Sequence, residues 1–560
     1  MMRPERSFAG GQPVLVLKES ATRTRGREAQ RGNMMAAMVV AEALKTTLGP
    51  RGMDKMLLEP MGDASITSDG ASILDKMDIQ HPAAKILVEA AKNQDKEVGD
   101  GTTTIVVLTG ELLKRAEELL DAGVHPTIIS SGYRRASEKA AEFLNELAEQ
   151  LDTDDEENLK KVAETSLNGR LPDTAKTLFV KLAVKAIKQV ADKRGDGYNI
   201  DVDHAIIKKR EGGSLQDTAL IDGVVLEQRG TTEPAAAGCG PGCTWCPPLA
   251  TGTLTVLGAQ VSPTISLANI ALFNSELKVR KTEFNAELRI TQPNQMKTFL
   301  DQETRMLQKM VEKIREAGAN VIICQKSIDD KARQLLSRAG IFSIENVGDS
   351  DMVKLVRATS GKITTSPEDL TSDDLGFALL VEERRVGEDK MVFIEGCDEP
   401  KSVTILIRGG SKQVIEDAER ALHDALCVVA DVFKDNRIVT GGGAVEEEIT
   451  RRLREYAPTV GGREQLAIEK YAEALEAIPR TLAENTGLDP IDILVNLRTA
   501  HENGQKRAGV DVYGRKVGDT FELGVVEPLS VKAHALKSAT ETANMILRID
   551  DIIAAKGGKS

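Results

Sequence analysis

The chain has 560 residues, 41% of them hydrophobic and only 3% aromatic, enough to bury a core in several domains without disulfides or metals. Its 73 Lys and Arg against 86 Asp and Glu give a net charge of −13, which argues against a general binder of nucleic acid or anionic membrane. No apolar run approaches the roughly 18 residues that span a bilayer, and Met1 to Gly10 holds Arg3, Glu5 and Arg6 with no apolar signal core, so a soluble, cytoplasmic protein of about three domains is expected.

In chain order, the Ala- and Met-rich text from Arg27 to about Thr47 reads as a helix, stopped by Leu48-Gly49-Pro50-Arg51-Gly52. Apolar residues at spacings of three and four predict further helices over 83–97, 103–120 and 134–150. The acidic run Asp152 to Glu157 reads as a solvated helix start or linker, and a boundary is placed near it. Between about 222 and 376, short β-branched runs such as Val321-Ile322-Ile323-Cys324 alternate with helical patterns at 297–317 and 329–338, an α/β unit. Helical text returns at 412–434, Gly441-Gly442-Gly443 precedes another helix, and Ala and Leu periodicity persists over 463–500. Helical ends around a β-containing middle point to one discontinuous domain built from both ends. Six cysteines make no secreted disulfide framework, and Cys324, Cys397 and Cys427 read as buried thiols. One segment is foreign in composition: Thr231 to Gly258 is rich in Gly, Pro, Ala and Thr and holds Cys239, Cys243, Cys246 and the single tryptophan, Trp245.

The strongest local signal is Gly99-Asp100-Gly101-Thr102-Thr103-Thr104, running directly into the apolar helix from Ile105. Glycine lets a phosphate approach the backbone, threonine hydroxyls and free amides at a helix start bind its oxygens, and aspartate can hold a magnesium ion against them. An ordinary N-terminal cap, with Asp100 or Thr102 satisfying the first amides, fits the same residues. Leu48-Gly49-Pro50 and Gly441-Gly442-Gly443 could complete such a site, and each alone is also just a turn. Neither GxxxxGK[ST] nor GxGxxG occurs, so the common nucleotide loops are excluded. Asp69 and Asp424 lie in turn and apolar text and could serve phosphoryl transfer to water, one orienting or deprotonating the water and one acting through the metal. The alternatives are a turn aspartate before Gly70 and a helix-surface charge on the face of Asp417 and Arg420.

Taken together, Leu48 to Met56, Thr67-Ser68-Asp69-Gly70, Gly99 to Thr104, Gly441 to Ala444, Gly461 to Ala467, Ala483 to Pro490 and Leu523 to Pro528 stand in an order and spacing that resembles the group II chaperonins, the archaeal thermosome subunits and their relatives in the eukaryotic cytosolic chaperonin. The resemblance covers about residues 12–555. It implies a multi-domain α+β / α/β fold: a helical equatorial domain from 1–154 and 411–560, a small intermediate domain from 155–221 and 377–410, and an α/β apical domain over 222–376 with a helical lid protrusion near 277–305. It further implies two stacked rings of about eight identical or paralogous subunits, which bind non-native polypeptides and close over them with Mg2+ and ATP, hydrolysed to ADP and phosphate. No nucleic acid or membrane partner is implied. By position, Leu48, Gly49 and Pro50 line the phosphates, Asp100 binds Mg2+, Gly101, Thr102, Thr103 and Thr104 cradle the phosphates, Gly442 approaches from the second equatorial half and Glu522 matches the acidic residue at the ribose. Asp424 matches the carboxylate that activates water and Asp69 its equatorial partner.

The chain departs from the family pattern at several points. Ser68 replaces the usual asparagine, Arg170 stands where a lysine senses the terminal phosphate, and the adenine-side segment Gly509 to Tyr513 matches only loosely. About two dozen extra residues interrupt 227–265, where the CxxxCxxC run is open to reading as a flexible insertion, a frame-shifted stretch, or an incomplete zinc or iron–sulfur site. Two other functions compete with the chaperone: a ring or filament scaffold with a structural or slow nucleotide site, and a metal- or cluster-dependent enzyme built on the cysteines.

Overall fold

The computed structural model describes residues 7–9, 12–14, 22–58, 64–153, 155–194, 197–227, 264–278, 293–387, 389–397 and 401–554. The cysteine-rich run with Cys239, Cys243, Cys246 and Trp245, and residues 279–292 of the expected lid protrusion, lie outside the described residues. The chain divides into two compact units, Met1–Val184 with Glu416–Ser560, and Lys185–Ile415.

The first unit is mostly helical, and its helix ends are written in the sequence. Arg27–Lys45 runs into the turn at Gly49. Pro82–Val98 opens with proline in its first turn and the His81 ring accepting from the Ala83 amide, and it ends on Gly99 in the left-handed conformation. The expected 134–150 helix is longer at one end and shorter at the other. It begins at Pro126, where the His125 ring caps Thr127, and stops at Leu147, because Glu149–Gln150 pairs antiparallel with Arg437–Ile438. The 463–500 periodicity resolves into Gly462–Leu475, Ala477–Thr486 and Pro490–Glu502. The breaks fall at Glu476, and at Gly487 with Asp489, whose carboxylate caps the last helix. These helices bury one core around Met34, Leu44, Leu87, Leu112, Leu144, Tyr471 and Ile546. Tyr133 and Tyr471 meet edge to face at 5.6 Å, and their hydroxyls bond to Leu112 O and Thr540 Oγ1.

Among the described residues the second unit carries a seven-stranded mixed sheet, in which Ile363–Thr364 pairs with Thr264–Phe273 off the main strand order. Gly223–Leu226, Asp389–Glu395, Gly376–Val386 and Thr264–Phe273 run antiparallel in that order, and Val321–Cys324 and Phe342–Ile344 continue in parallel. The helices Pro293–Glu316 and Asp330–Arg338 make the crossovers of the parallel part, so Val321–Cys324 is buried along its whole length. Cys324 and Cys397 are buried, Cys427 of the first unit is half-buried, and burial pushes the Cys324 and Cys427 thiols up. Among the described residues no helix is long and apolar enough to cross a membrane.

The run Glu446-Glu447-Glu448 resembles a solvated acidic helix start but is buried. Glu447 is 1% exposed and its Oε2 has no hydrogen-bond partner. Burial, reinforced by the Glu476 charge and opposed by His501, Arg498 and Arg454, raises its carboxyl to about 7. A carboxyl raised on folding stabilises the fold most below its unfolded value near 4.5, and that contribution is lost as pH rises through about 7. Glu447→Gln is therefore expected to stabilise the protein at pH 8 by on the order of 3 kcal/mol at most, and so to raise its thermal midpoint there. It should also flatten the decline between about pH 4.5 and 7. A wild-type midpoint independent of pH over that window would contradict this.

Candidate functional site

A cavity of about 680 Å³ opens in the first unit, within the range of small-molecule sites. Several separate segments of the chain build its wall. Leu48, Gly49 and Pro50 line one side, anchored by the Asn485 side-chain amide, which donates to Lys45 O at 3.1 Å and Leu48 O at 2.8 Å. Gly442 and Gly443 line another and uncap the helix Ala444–Val460, and Val510 bonds to Gly442 O at 2.9 Å. Asn168, Gly169 and Arg170 form a third, where a Cβ on Gly169 would lie 2.7 Å from Pro50 O. Val510 to Tyr513, the loosely matching segment, and Glu522 complete the wall.

The Gly99-Asp100-Gly101 turn joins Pro82–Val98 to Thr102–Asp121. Gly99 has φ +74°, and a Cβ there would sit 2.3 Å from Cys427 Cβ, so no other residue fits without moving the helix Lys412–Lys434. The ordinary-cap reading does not hold: Asp100 Oδ1 accepts from the Gly101 amide at 2.6 Å, and no side chain caps the Thr102–Asp121 helix. Asp100, Gly101, Thr102, Thr103 and Thr104 all line the cavity. A helix start with uncapped amides, glycine and hydroxyls is suited to phosphate oxygens.

Asp69 and Asp424 lie behind the wall, 7% and 4% exposed, and each reaches it through one neighbour. Asp69 does two things. Its Oδ2 accepts from Ser72 N at 2.8 Å, capping Gly70–Lys76 as the turn reading expects, while its Oδ1 accepts from Thr102 Oγ1 at 3.3 Å. Burial opposes its charge, but Arg170, Ser72 and Arg420 hold the carboxyl below the usual range. Asp424 is not a surface charge: it is ion-paired with Arg170. Burial pushes its carboxyl well above the usual range, Arg170 works against this, and Asp69, Asp100 and Asp95 add to it. A raised carboxyl that is dry and beside a cavity is suited to accept a proton. Arg170 is desolvated but stays charged, because Asp424, Asp100 and Asp69 surround it.

Several residues at the site carry no motif. Lys160, Lys161, Lys176 and Lys181 line the cavity and make it attractive to an anion, with Lys176 Nζ donating to Asn168 Oδ1 at 2.9 Å. Their one signal is lysine recurring in the helical text after the acidic run. Asp95, raised by burial and by the Asp69 charge, belongs to the same group of carboxylates. Lys532 and Glu527 line the cavity, and Lys532 Nζ lies 2.7 Å from Glu446 Oε1 and 3.1 Å from Glu527 Oε2. The described residues hold no cluster of three or more His, Cys, Asp or Glu that could bind a metal alone. The donor set suits magnesium, which binds through one or two carboxylates and completes its shell with phosphate and water. Asp100 is one of the carboxylates on the cavity wall, together with Asp511, Glu522 and Glu527.

A helical unit assembled from both chain ends, holding a glycine- and threonine-walled cavity, and a second unit with a mixed sheet define the class: the chain belongs to the TCP-1/cpn60 chaperonin family, which its sequence matches over residues 40–557. It is 53% identical over 546 residues to a thermosome subunit of Methanopyrus kandleri, covering 98% of this chain and 95% of the relative. Thermosome subunits alpha and beta of Archaeoglobus fulgidus are each 52% identical over 547 residues, 98% of this chain and 96% of theirs. The resemblance to archaeal group II chaperonins therefore extends over nearly the whole chain.

Proposed function

We propose that the chain is a subunit of an ATP-driven cytoplasmic chaperonin that encloses non-native polypeptides and releases them after hydrolysing ATP to ADP and phosphate. The observation that carries this reading is the convergence of Gly49, Gly101 to Thr104 and Gly442 on one cavity, with Asp100 on its wall and Asp424 buried behind Arg170. Leu48, Gly49, Pro50 and Gly101 to Thr104 would hold the phosphates, Gly442 would close on them from the other half of the unit, and Glu522 would meet the ribose. Arg170 would meet the terminal phosphate. Mg2+ held by Asp100 would neutralise phosphate charge as it develops. Asp424 would take the proton of the attacking water, and Asp69 would hold Thr102 and the water in register.

The three-domain division at 1–154, 155–221, 222–376, 377–410 and 411–560 is part of the same proposal, as are stacked rings of about eight identical or paralogous subunits. Alpha and beta relatives of equal similarity support a ring of paralogues as readily as one of identical copies. Two assays on the purified protein test the reading. ATP should be hydrolysed with Mg2+ and not with EDTA, and a chemically denatured polypeptide should be bound without nucleotide. Hydrolysis that ignores Mg2+, or no capture of the denatured chain, would overturn it.

A further inference from the structure

The turn that presents Asp100 is held from the protein side by a residue that no motif marks. Gln94 lies on Pro82–Val98, five residues before Gly99, and is fully buried. Its Nε2 donates to the backbone carbonyl of Asp100 at 2.7 Å and lies 3.5 Å from Val531 O, and its own carbonyl accepts the Gly99 amide at 3.3 Å. Its Oε1 contacts His534 Nδ1 at 2.6 Å. An amide oxygen only accepts, so His534 carries its proton on Nδ1 and donates. That bond fixes which end of the Gln94 amide faces Asp100. With the amide reversed, two oxygens would face each other across the turn.

We propose that Gln94, oriented by His534, is the positioning residue that fixes the Asp100 carboxylate in the cavity wall for its metal. The inference rests on the reading of Asp100 as the Mg2+ ligand. Asp100 is pinned at both ends: its carbonyl by Gln94 and its Oδ1 by the Gly101 amide at 2.6 Å. The remaining carboxylate oxygen therefore has one direction to point. Gln94 also sits against Gly101, where a Cβ would lie 3.1 Å from its Nε2 and 3.2 Å from Val531 Cγ1. His534 is on Leu529–Leu547, the helix whose first turns bring Val531 and Lys532 to the cavity. Gln94 thus joins the Asp100 turn to the far end of the chain, and outer residues of this kind set the orientation of a metal ligand.

The test compares equilibrium ADP binding with Mg2+ and with EDTA, together with the thermal midpoint, in the full-length assembled protein. Gln94→Leu should weaken ADP binding in Mg2+ by about tenfold or more, the range seen for outer-shell residues. Binding in EDTA should stay within about twofold of wild type, because the glycine and threonine contacts remain. Gln94→Leu on top of Asp100→Ala should add no further loss. His534→Gln, which keeps a donor for Oε1, should behave as wild type, and His534→Leu should lose part of the Mg2+ effect. If Gln94→Leu does not assemble, Gln94→Glu reads the same contact with one atom changed, offering an acceptor where the Asp100 carbonyl needs a donor. Full Mg2+-dependent tightening in the Gln94 variants, or equal losses in Mg2+ and EDTA, would overturn the positioning role while leaving the site reading intact. No Mg2+ effect in wild type, or a full effect in Asp100→Ala, would overturn the site reading and this inference with it.

Discussion

Asp424→Ala is expected to lower Mg-ATP turnover by a factor of about 10² to 10⁴, the contribution of a positioned general base, with ADP affinity changed only a few-fold. The two effects separate because Asp424 is not on the cavity wall: it reaches it through Arg170. Removing the carboxylate leaves the phosphate cradle intact and leaves Arg170 with Asp69 and Asp100 as charge partners. Asp424→Asn should do the same, since an amide keeps the shape but accepts no proton. Steady-state phosphate release beside calorimetric ADP binding reads both quantities. Turnover unchanged in both variants would remove Asp424 from the chemistry, and turnover equally low in wild type would favour the scaffold reading, with Arg170 as the first suspect.

Lys532→Met should cost about 3–5 kcal/mol of stability, the range for breaking a buried ion pair from one side. Lys532 is 7% exposed and lies between Glu446 and Glu527, and those two carboxylates raise its ammonium further above the usual lysine range despite burial. Without it, the buried Glu446 and the half-buried Glu527 are two neighbouring carboxylates with no cation between them. Glu446 Oε2 already has no hydrogen-bond partner, so nothing there can compensate. Adding Glu446→Leu to Lys532→Met should recover a large part of the loss, because the uncompensated charge is what destabilises. Chemical unfolding of the three proteins measures this; a single variant within about 1 kcal/mol of wild type would show that the triad carries little. Because Lys532 and Glu527 also line the cavity, the single variant should weaken nucleotide binding as well.

What the sequence showed and what it hid follow from the range of the forces involved. Lys412–Lys434 was legible at both ends because its apolar period and the glycines before it are local. The Gly99 to Thr104 turn was legible because glycine and threonine there answer to backbone geometry. Asp424 was legible as a candidate, but its burial was not, since Arg420 and Asp417 at four and seven residues before it spell a solvated charged face. In the structure that face meets Arg170, 254 residues away, and no local pattern carries such a contact. Glu446 and Glu448 hid for the same reason: Glu446 pairs with Lys532, 86 residues on, and Glu448 with His501, 53 residues on. Gln94 and Lys532 lacked any signal, because a buried glutamine or lysine is recognised only by the partner that satisfies it.

In the proposed cycle, hydrolysis in the cavity drives release of a folded client. The most direct measurement is the yield of a chemically denatured enzyme refolded with Mg-ATP by the wild-type assembly beside Asp424→Ala. Wild type should return active enzyme over many turnovers, while the variant should bind the client and nucleotide yet fail to return it repeatedly. Equal yields from the two proteins, with ATP consumed only by wild type, would contradict the coupling of this site to folding.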